Sequence, residues 1–169
     1  MLYNGLYTWL KRRTSFAVLP GGLVGAIPPL IGWSSAGGSL LHPSILFVAV
    51  LMFLWQMPHF WILIIRYGKE YEEAGFSTLK RYLNDIQIKR LIFLWMTISS
   101  LFLLTAPLFR INLEIWQLII IAIFNIAFIG FYYYVLFLNP SDRRLRLIFI
   151  LTNVFLTLIL LGFILNSIL

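Results

Sequence analysis

The sequence predicts an all-α protein, a polytopic transmembrane helix bundle of about five spans, on three observations. First, 61% of the 169 residues are hydrophobic, 11% are charged, and the mean hydropathy is +0.92, whereas a soluble domain carries about 25% charged residues. Such a chain has too little polar surface to cover a water-facing fold, so its solvent is the bilayer. Second, five apolar stretches, at 16–35, 44–65, 91–109, 115–138 and 147–165, are near the ~20 residues that cross a hydrocarbon core as helix. Third, the charges alternate with the spans. If each span reverses the side, Lys11, Arg12, Arg13, Arg66, Lys69, Lys80, Arg81, Lys89, Arg90, Arg143, Arg144 and Arg146 share one side and Arg110 stands on the other. Merging or splitting one span would scatter them. The positive-inside rule makes the basic side cytoplasmic and puts the C-terminus opposite.

The span at 16–35 is the least regular, with Pro20, Pro28, Pro29, Gly21, Gly22, Gly25 and Gly32 in an apolar background. An interrupted helix is expected there, and interrupted backbone survives at membrane depth only when buried in protein or facing a polar cavity. Gly21 and Gly25 form a GxxxG pair that would let a neighbouring helix approach closely. The spans at 44–65, 91–109, 115–138 and 147–165 are continuous apolar runs, and Pro58 should kink the first of these. The longest connection, 67–90, contains the stretch LKRYLNDIQIKRL, which suits a short interfacial helix. MLYNGLYTWL puts aromatic residues before a basic run, the reverse of a signal peptide. It reads as the end of a helix that begins earlier.

Composition also excludes function classes. With no cysteine there is neither a disulfide framework nor a zinc–thiolate site. The net charge of +7 sits in short runs between apolar blocks, a pattern of membrane topology rather than of nucleic-acid binding.

Polar chemistry gathers on the basic side, where Glu70, Glu72, Glu73, Asp85 and Asp142 also fall, with Glu114 opposite. Three groups stand out. Lys11-Arg12-Arg13-Thr14 is either a topology signal or a set of contacts for a phosphate-bearing anion. Glu70-Tyr71-Glu72-Glu73 is either a solvated turn or a source of oxygen ligands for magnesium, with Glu70 and Glu73 on one helix face at i and i+3. Gln56-Met57-Pro58-His59-Phe60-Trp61 puts an ionisable ring among aromatics within a span. Such a residue is either hydrogen-bonded to a neighbouring helix or placed to meet a heme. Asn125, Asn153 and Asn166 are expected to hydrogen-bond between helices. The run Phe131 to Tyr134 fits either an interfacial belt or a cation-stabilising wall.

Taken in order, LYTWLKRRTSFAVLPGGLVGAIPPLIGW, LFLWQMPHFW and RYGKEYEEAGF resemble the protoheme IX farnesyltransferases (heme O synthases), within the UbiA-type intramembrane prenyltransferase superfamily. The resemblance covers about residues 2–80. Beyond that it rests on hydropathy and the basic DRRLR segment. It implies a bundle of about nine helices in the bacterial inner membrane, of which this chain supplies the last five. It implies transfer of farnesyl from farnesyl diphosphate to a vinyl group of heme b, giving heme o, with Mg2+ holding the diphosphate and heme b as substrate rather than cofactor. By position, Lys11, Arg12 and Thr14 fall on the family's diphosphate-binding loop. Glu70 and Tyr71 fall on its second acidic motif as catalytic residues, with Glu70, and secondarily Glu73, as metal ligands. His59, Trp61 and Tyr67 fall near the heme acceptor. The chain departs from the pattern in carrying Lys69-Glu70 for two aspartates, Ser77-Thr78 for Pro-Met, and Ala17 for an asparagine.

The first acidic motif of the family precedes anything in this sequence. A partial bundle inactive in isolation is therefore expected, with the preceding helices supplied elsewhere, as a separate chain or an upstream segment. Two other readings compete: a non-enzymatic heme-binding or oxidase-associated membrane subunit, favoured by Lys69, and a prenyltransferase acting on a quinone precursor, disfavoured by the PHFW element.

Overall fold

Among the residues described by the computed structural model, 18–75 and 78–168, the chain is helical and contains no strand. Five segments are long and apolar enough to cross a membrane: Val18–Ser35, Pro43–Glu73, Asp85–Leu103, Ile115–Leu138 and Asp142–Leu165.

The first span is two helices, α1 (Val18–Gly25) and α2 (Ile27–Ser35). Pro28 and Pro29 cannot donate backbone hydrogen bonds to the preceding turn, but they fit the first turn of a new helix. The break therefore falls at Ala26, where the dense prolines and glycines place it. Helix α3 (Pro43–Glu73) follows, with His42 as its cap: His42 Nδ1 accepts from the Ser44 amide at 3.3 Å. At ~1.5 Å per residue its 31 residues extend roughly 46 Å, well beyond a ~30 Å hydrocarbon core. Its charged last turns thus project past the apolar stretch ending at 65. The expected kink at Pro58 is not where α3 departs from helical geometry. That departure is at Tyr67 (φ −114°, ψ 15°), while Pro58 lies buried inside the helix.

Gly75, at φ 79°, ends the turn that closes α3. The expected interfacial helix over LKRYLNDIQIKRL is instead two pieces. Leu79–Arg81 forms a 3₁₀ turn, and Asn84 caps α4 (Asp85–Leu103) through a reciprocal capping box with Gln87, both bonds 2.9 Å. An asparagine followed three residues later by glutamine is a strong helix start, and it divides the stretch. A 3₁₀ turn, Ala106–Phe109, continues α4 and ends at Arg110 in the left-handed region, φ 60°. Helix α5 (Ile115–Tyr133) runs into a π-helical turn, Tyr134–Leu138, and α6 (Asp142–Ile168) closes the chain.

Cross-helix pairs fix the directions. At one end, the Phe47 ring of α3 lies 4.8 Å from Phe102 of α4 and 5.8 Å from Phe163 of α6. Further along α3, Trp55 Nε1 donates to the Thr152 carbonyl at 2.8 Å, and His59 packs 4.6 Å from Phe149. As the numbers rise on α3 they fall on α6, so the two are antiparallel. The same holds for α3 and α4 through Trp61 and Trp95, 5.6 Å apart. The basic segments 66–90 and 139–146 therefore share one end of the bundle, and Arg110 lies at the other.

Helix α3 is central, flanked by α1 and α2, α4 and α6. Gly25 of the expected Gly21 and Gly25 pair admits α1 against α3, together with Gly22. A Cβ on Gly22 would overlap Met57 Cε, and one on Gly25 would overlap the Gln56 carboxamide.

Candidate active site at the basic end of the bundle

The final turn of α3 and the first residues of α4 bring the charged residues together. Glu70 and Glu73 are exposed, one turn apart, and form no ion pair among the described residues. Glu72 points the other way and accepts a hydrogen bond from the Thr78 hydroxyl, which ties the turn to the helix. Lys80 runs its aliphatic stem against Gly68, where an added Cβ would stand 3.4 Å from Lys80 Cδ and Cε. Its ammonium reaches Asp85 at 3.9 Å. Arg66 lies over the Tyr67 ring at 4.9 Å, beside the dihedral break, where the cation–π contact holds its guanidinium against the helix. Tyr71 is exposed on the same segment.

Deeper in the bundle, His59 sits in an aromatic cage. Trp55 lies 4.8 Å, Phe60 5.5 Å and Phe149 4.6 Å from its ring. Its Nδ1 is buried without a hydrogen-bond partner among the described residues. An ionisable ring at membrane depth is costly to bury; the indole nitrogens of Trp61 and Trp95 are likewise buried without a partner among the described residues.

The sequence-predicted residues do not all converge. Glu70, Glu73, Tyr71 and Tyr67 share the end of α3. His59 lies about two turns below Tyr67 on the same helix. Trp61 is 1% exposed and packs edge-on against Trp95 of α4, whereas His59 packs against Phe149 of α6. Lys11, Arg12 and Thr14 lie outside the described residues, as do Ala17 and Ser77. Asn125 bonds between helices as expected, to the Ser100 carbonyl at 2.8 Å, but Asn153 bonds to Phe149 of its own helix at 2.6 Å. The side chain of Asn166 lies outside the described residues. The aromatic run divides: Tyr133 and Tyr134 are exposed, and Tyr132 is buried with its hydroxyl on Thr152.

Two features escaped the sequence reading. Thr78 binds Glu72 across a turn the sequence does not mark. Thr152 joins three helices, receiving Trp55 on its carbonyl and Tyr132 on its hydroxyl. Its only sequence signal is a hydroxyl within an apolar span.

A family model described as "UbiA prenyltransferase family" matches residues 1–165. The chain belongs to the UbiA prenyltransferase family. Similar curated relatives in this family include a protoheme IX farnesyltransferase of Nitratidesulfovibrio vulgaris (strain DP4), 37% identical over 126 residues, covering 75% of this chain and 44% of the relative. A protoheme IX farnesyltransferase of Mycobacterium bovis is 39% identical over 101 residues, 58% of this chain and 32% of the relative. The mitochondrial protoheme IX farnesyltransferase of Yarrowia lipolytica is 51% identical over 75 residues, 44% of this chain and 16% of the relative. This UbiA-family chain thus spans less than half the length of the curated relatives it matches. No solved structure matches it.

Proposed function

We propose that the chain is part of a heme-farnesylating prenyltransferase, which joins the farnesyl group of farnesyl diphosphate to a vinyl group of heme b and gives heme o. The observation that carries this reading is one helix, α3, holding at its basic end two exposed carboxylates with no ion pair among the described residues and, below them, a histidine in an aromatic cage.

The reaction breaks the C1–O bond of farnesyl diphosphate, and the electron pair leaves with the diphosphate. The vinyl π electrons form the new C–C bond to C1. Water adds to the resulting cation and loses a proton, leaving a hydroxyethylfarnesyl group. Among the described residues there is no group of three or more acidic, histidine or cysteine side chains able to hold a metal. Glu70 and Glu73 nevertheless fit part of a magnesium site, because magnesium binds through one or two carboxylates and keeps waters and phosphate oxygens as its remaining ligands. Magnesium, when bound there, supplies positive charge for the leaving diphosphate. Lys11, Arg12 and Thr14 contact the same diphosphate, and Tyr71 borders it. His59 and Tyr67 face the acceptor, while the cage of Trp55, Phe60 and Phe149 excludes water from the allylic cation. The basic end lies in the cytoplasm of a bacterial cell, with the bundle in its inner membrane.

The test places Glu70→Gln and, separately, His59→Ala at the native chromosomal locus and measures heme o in membranes supplied with farnesyl diphosphate, heme b and magnesium. Loss of the Glu70 carboxylate should lower heme o formation by at least roughly tenfold, the lower end of the cost of losing even an outer-shell partner of a metal site, and His59→Ala should lower it as well. Unchanged formation with Glu70→Gln refutes the assignment. A parallel assay with a 4-hydroxybenzoate-type acceptor separates heme from quinone-precursor chemistry. Lys69, beside Glu70 where a second carboxylate would serve, favours one other reading, a heme-binding subunit without catalysis. That reading requires heme binding lost in His59→Ala with no heme o formed by the unaltered protein.

A further inference from the structure

The turn between α5 and α6 carries a second basic cluster that the proposed chemistry does not use. Arg143, Arg144 and Arg146 line a surface cavity of about 670 Å³ together with Ser141, Leu147 and Ile150. Arg144 is held in place: its guanidinium donates to the Asn139 carbonyl at 3.1 Å and lies 5.4 Å from the centre of the Tyr134 ring. Arg143 and Arg146 are exposed and have neither an ion pair nor a side-chain hydrogen bond among the described residues. The one nearby acid in the turn, Asp142, is exposed and likewise forms no ion pair among the described residues, leaving one carboxylate against three guanidinium groups.

Below the arginines the cavity becomes apolar. Leu147 and Ile150 are 42% and 49% exposed, and the same outward stripe of α6 continues through Val154 and Leu158, 45% and 58% exposed. Their spacing of three and four residues keeps them on one face. Guanidinium groups at the membrane boundary, directly above an exposed apolar stripe within a spanning helix, match the two halves of one molecule. The phosphate matches the cations, and an acyl chain matches the stripe.

We propose that this cavity binds an anionic phospholipid, its headgroup phosphate between Arg143 and Arg146 and one acyl chain along Leu147, Ile150, Val154 and Leu158. Arginine suits the role because its planar fork offers paired donors to phosphate oxygens. Basic residues at the end of a membrane-spanning helix attract acidic headgroups. This site is independent of the heme reading, since none of its residues belongs to the α3 site.

The test reconstitutes the full chain in phosphatidylcholine nanodiscs containing a small fraction of spin-labelled phosphatidylglycerol and measures the motionally restricted fraction. The unaltered protein should restrict phosphatidylglycerol in preference to spin-labelled phosphatidylcholine. R143Q and R146Q should each weaken that preference roughly fivefold, in line with the contribution of one basic residue near an anionic surface. K80Q/R81Q removes two charges from the same end of the bundle and should leave the preference intact. Val154→Asn should lower restriction of both lipids at this stripe. Excess inorganic phosphate should not displace the lipid. The proposal is overturned by an unchanged preference in R143Q and R146Q, by an equal loss in K80Q/R81Q, or by displacement with inorganic phosphate, which would mark a plain anion site. Circular dichroism of each variant confirms an intact helix content, and the conservative R146K, which keeps the charge and so the topology, should lose less than R146Q.

Discussion

Asn125 and Asn153 look alike in the sequence, each a lone amide within an apolar span, yet the bundle uses them differently. Asn125 is 2% exposed and reaches across to the Ser100 carbonyl of α4, whereas Asn153 returns to its own helix at Phe149. Interhelical bonds in membranes contribute about 0.6–2 kcal/mol. Asn125→Ala is therefore expected to destabilise the bundle by about 1 kcal/mol and Asn153→Ala by close to zero, as measured by reversible unfolding in mixed micelles. Thr152 gives a sharper case. Thr152→Val keeps the shape and the carbonyl that serves Trp55 but leaves the buried Tyr132 hydroxyl without its partner, which costs about 1–3 kcal/mol. Tyr132→Phe in the same background should recover part of that loss, because both polar groups are then gone. His59 is legible as a candidate from its position in an apolar run. Its cage of Trp55 and Phe60 is legible too, but Phe149 is 90 residues away in the chain, and no local pattern announces that contact. Trp61 is a case the sequence leaves open: two residues along a helix rotate a side chain by about 200°, and here that turns Trp61 toward Trp95 of α4 while His59 packs on Phe149 of α6.

At the scale of elements, the apolar runs carried most of the information, since the hydrophobic length that crosses a bilayer is a coarse and robust signal. Their ends were less legible. The start of α4 lies at Asp85 because Asn84 and Gln87 form a capping box, a local hydrogen-bond pattern that hydropathy does not weigh, and charged residues through Arg90 lie within the helix. The break in α3 falls at Tyr67 rather than at the proline. The α1–α3 contact tests how tightly a broken helix must pack. At Gly22 an added methyl would meet Met57 Cε, the movable end of a flexible side chain, and would stand 3.3 Å from the Phe53 ring. Gly22→Ala is thus expected to be tolerated, with Met57 changing rotamer, whereas Gly22→Leu should overpack the contact and cost about 1–3 kcal/mol. The same micelle unfolding assay reads both, and equal effects for alanine and leucine would show that α1 is not seated on α3 as described.

The whole molecule is organised by which end of the bundle each charge occupies. The antiparallel pairs Phe47 with Phe163, Trp55 with Thr152 and His59 with Phe149 place the segments 66–90 and 139–146 at the same end, so Glu70 and the arginines of α6 lie at one end of the bundle although some 70 residues separate them. Transferring charged loops across the bilayer is unfavourable, and the bias acts through basic residues near the span ends. Arg110, exposed in a left-handed turn, is the only arginine or lysine that the described bundle places at the far end. Because the sequence contains no cysteine, introduced thiols can report topology without background. Leu108→Cys, beside Arg110 and 82% exposed, is expected to react with a membrane-impermeant maleimide added to intact spheroplasts. Asn139→Cys, in the exposed turn before the α6 arginines, should react only once the membrane is opened. Both positions reacting from outside would mean that the spans do not alternate as the packing requires. The reverse pattern would keep the bundle but place Glu70 and Glu73 away from the cytoplasm, where a diphosphate substrate would have to cross the membrane before meeting them.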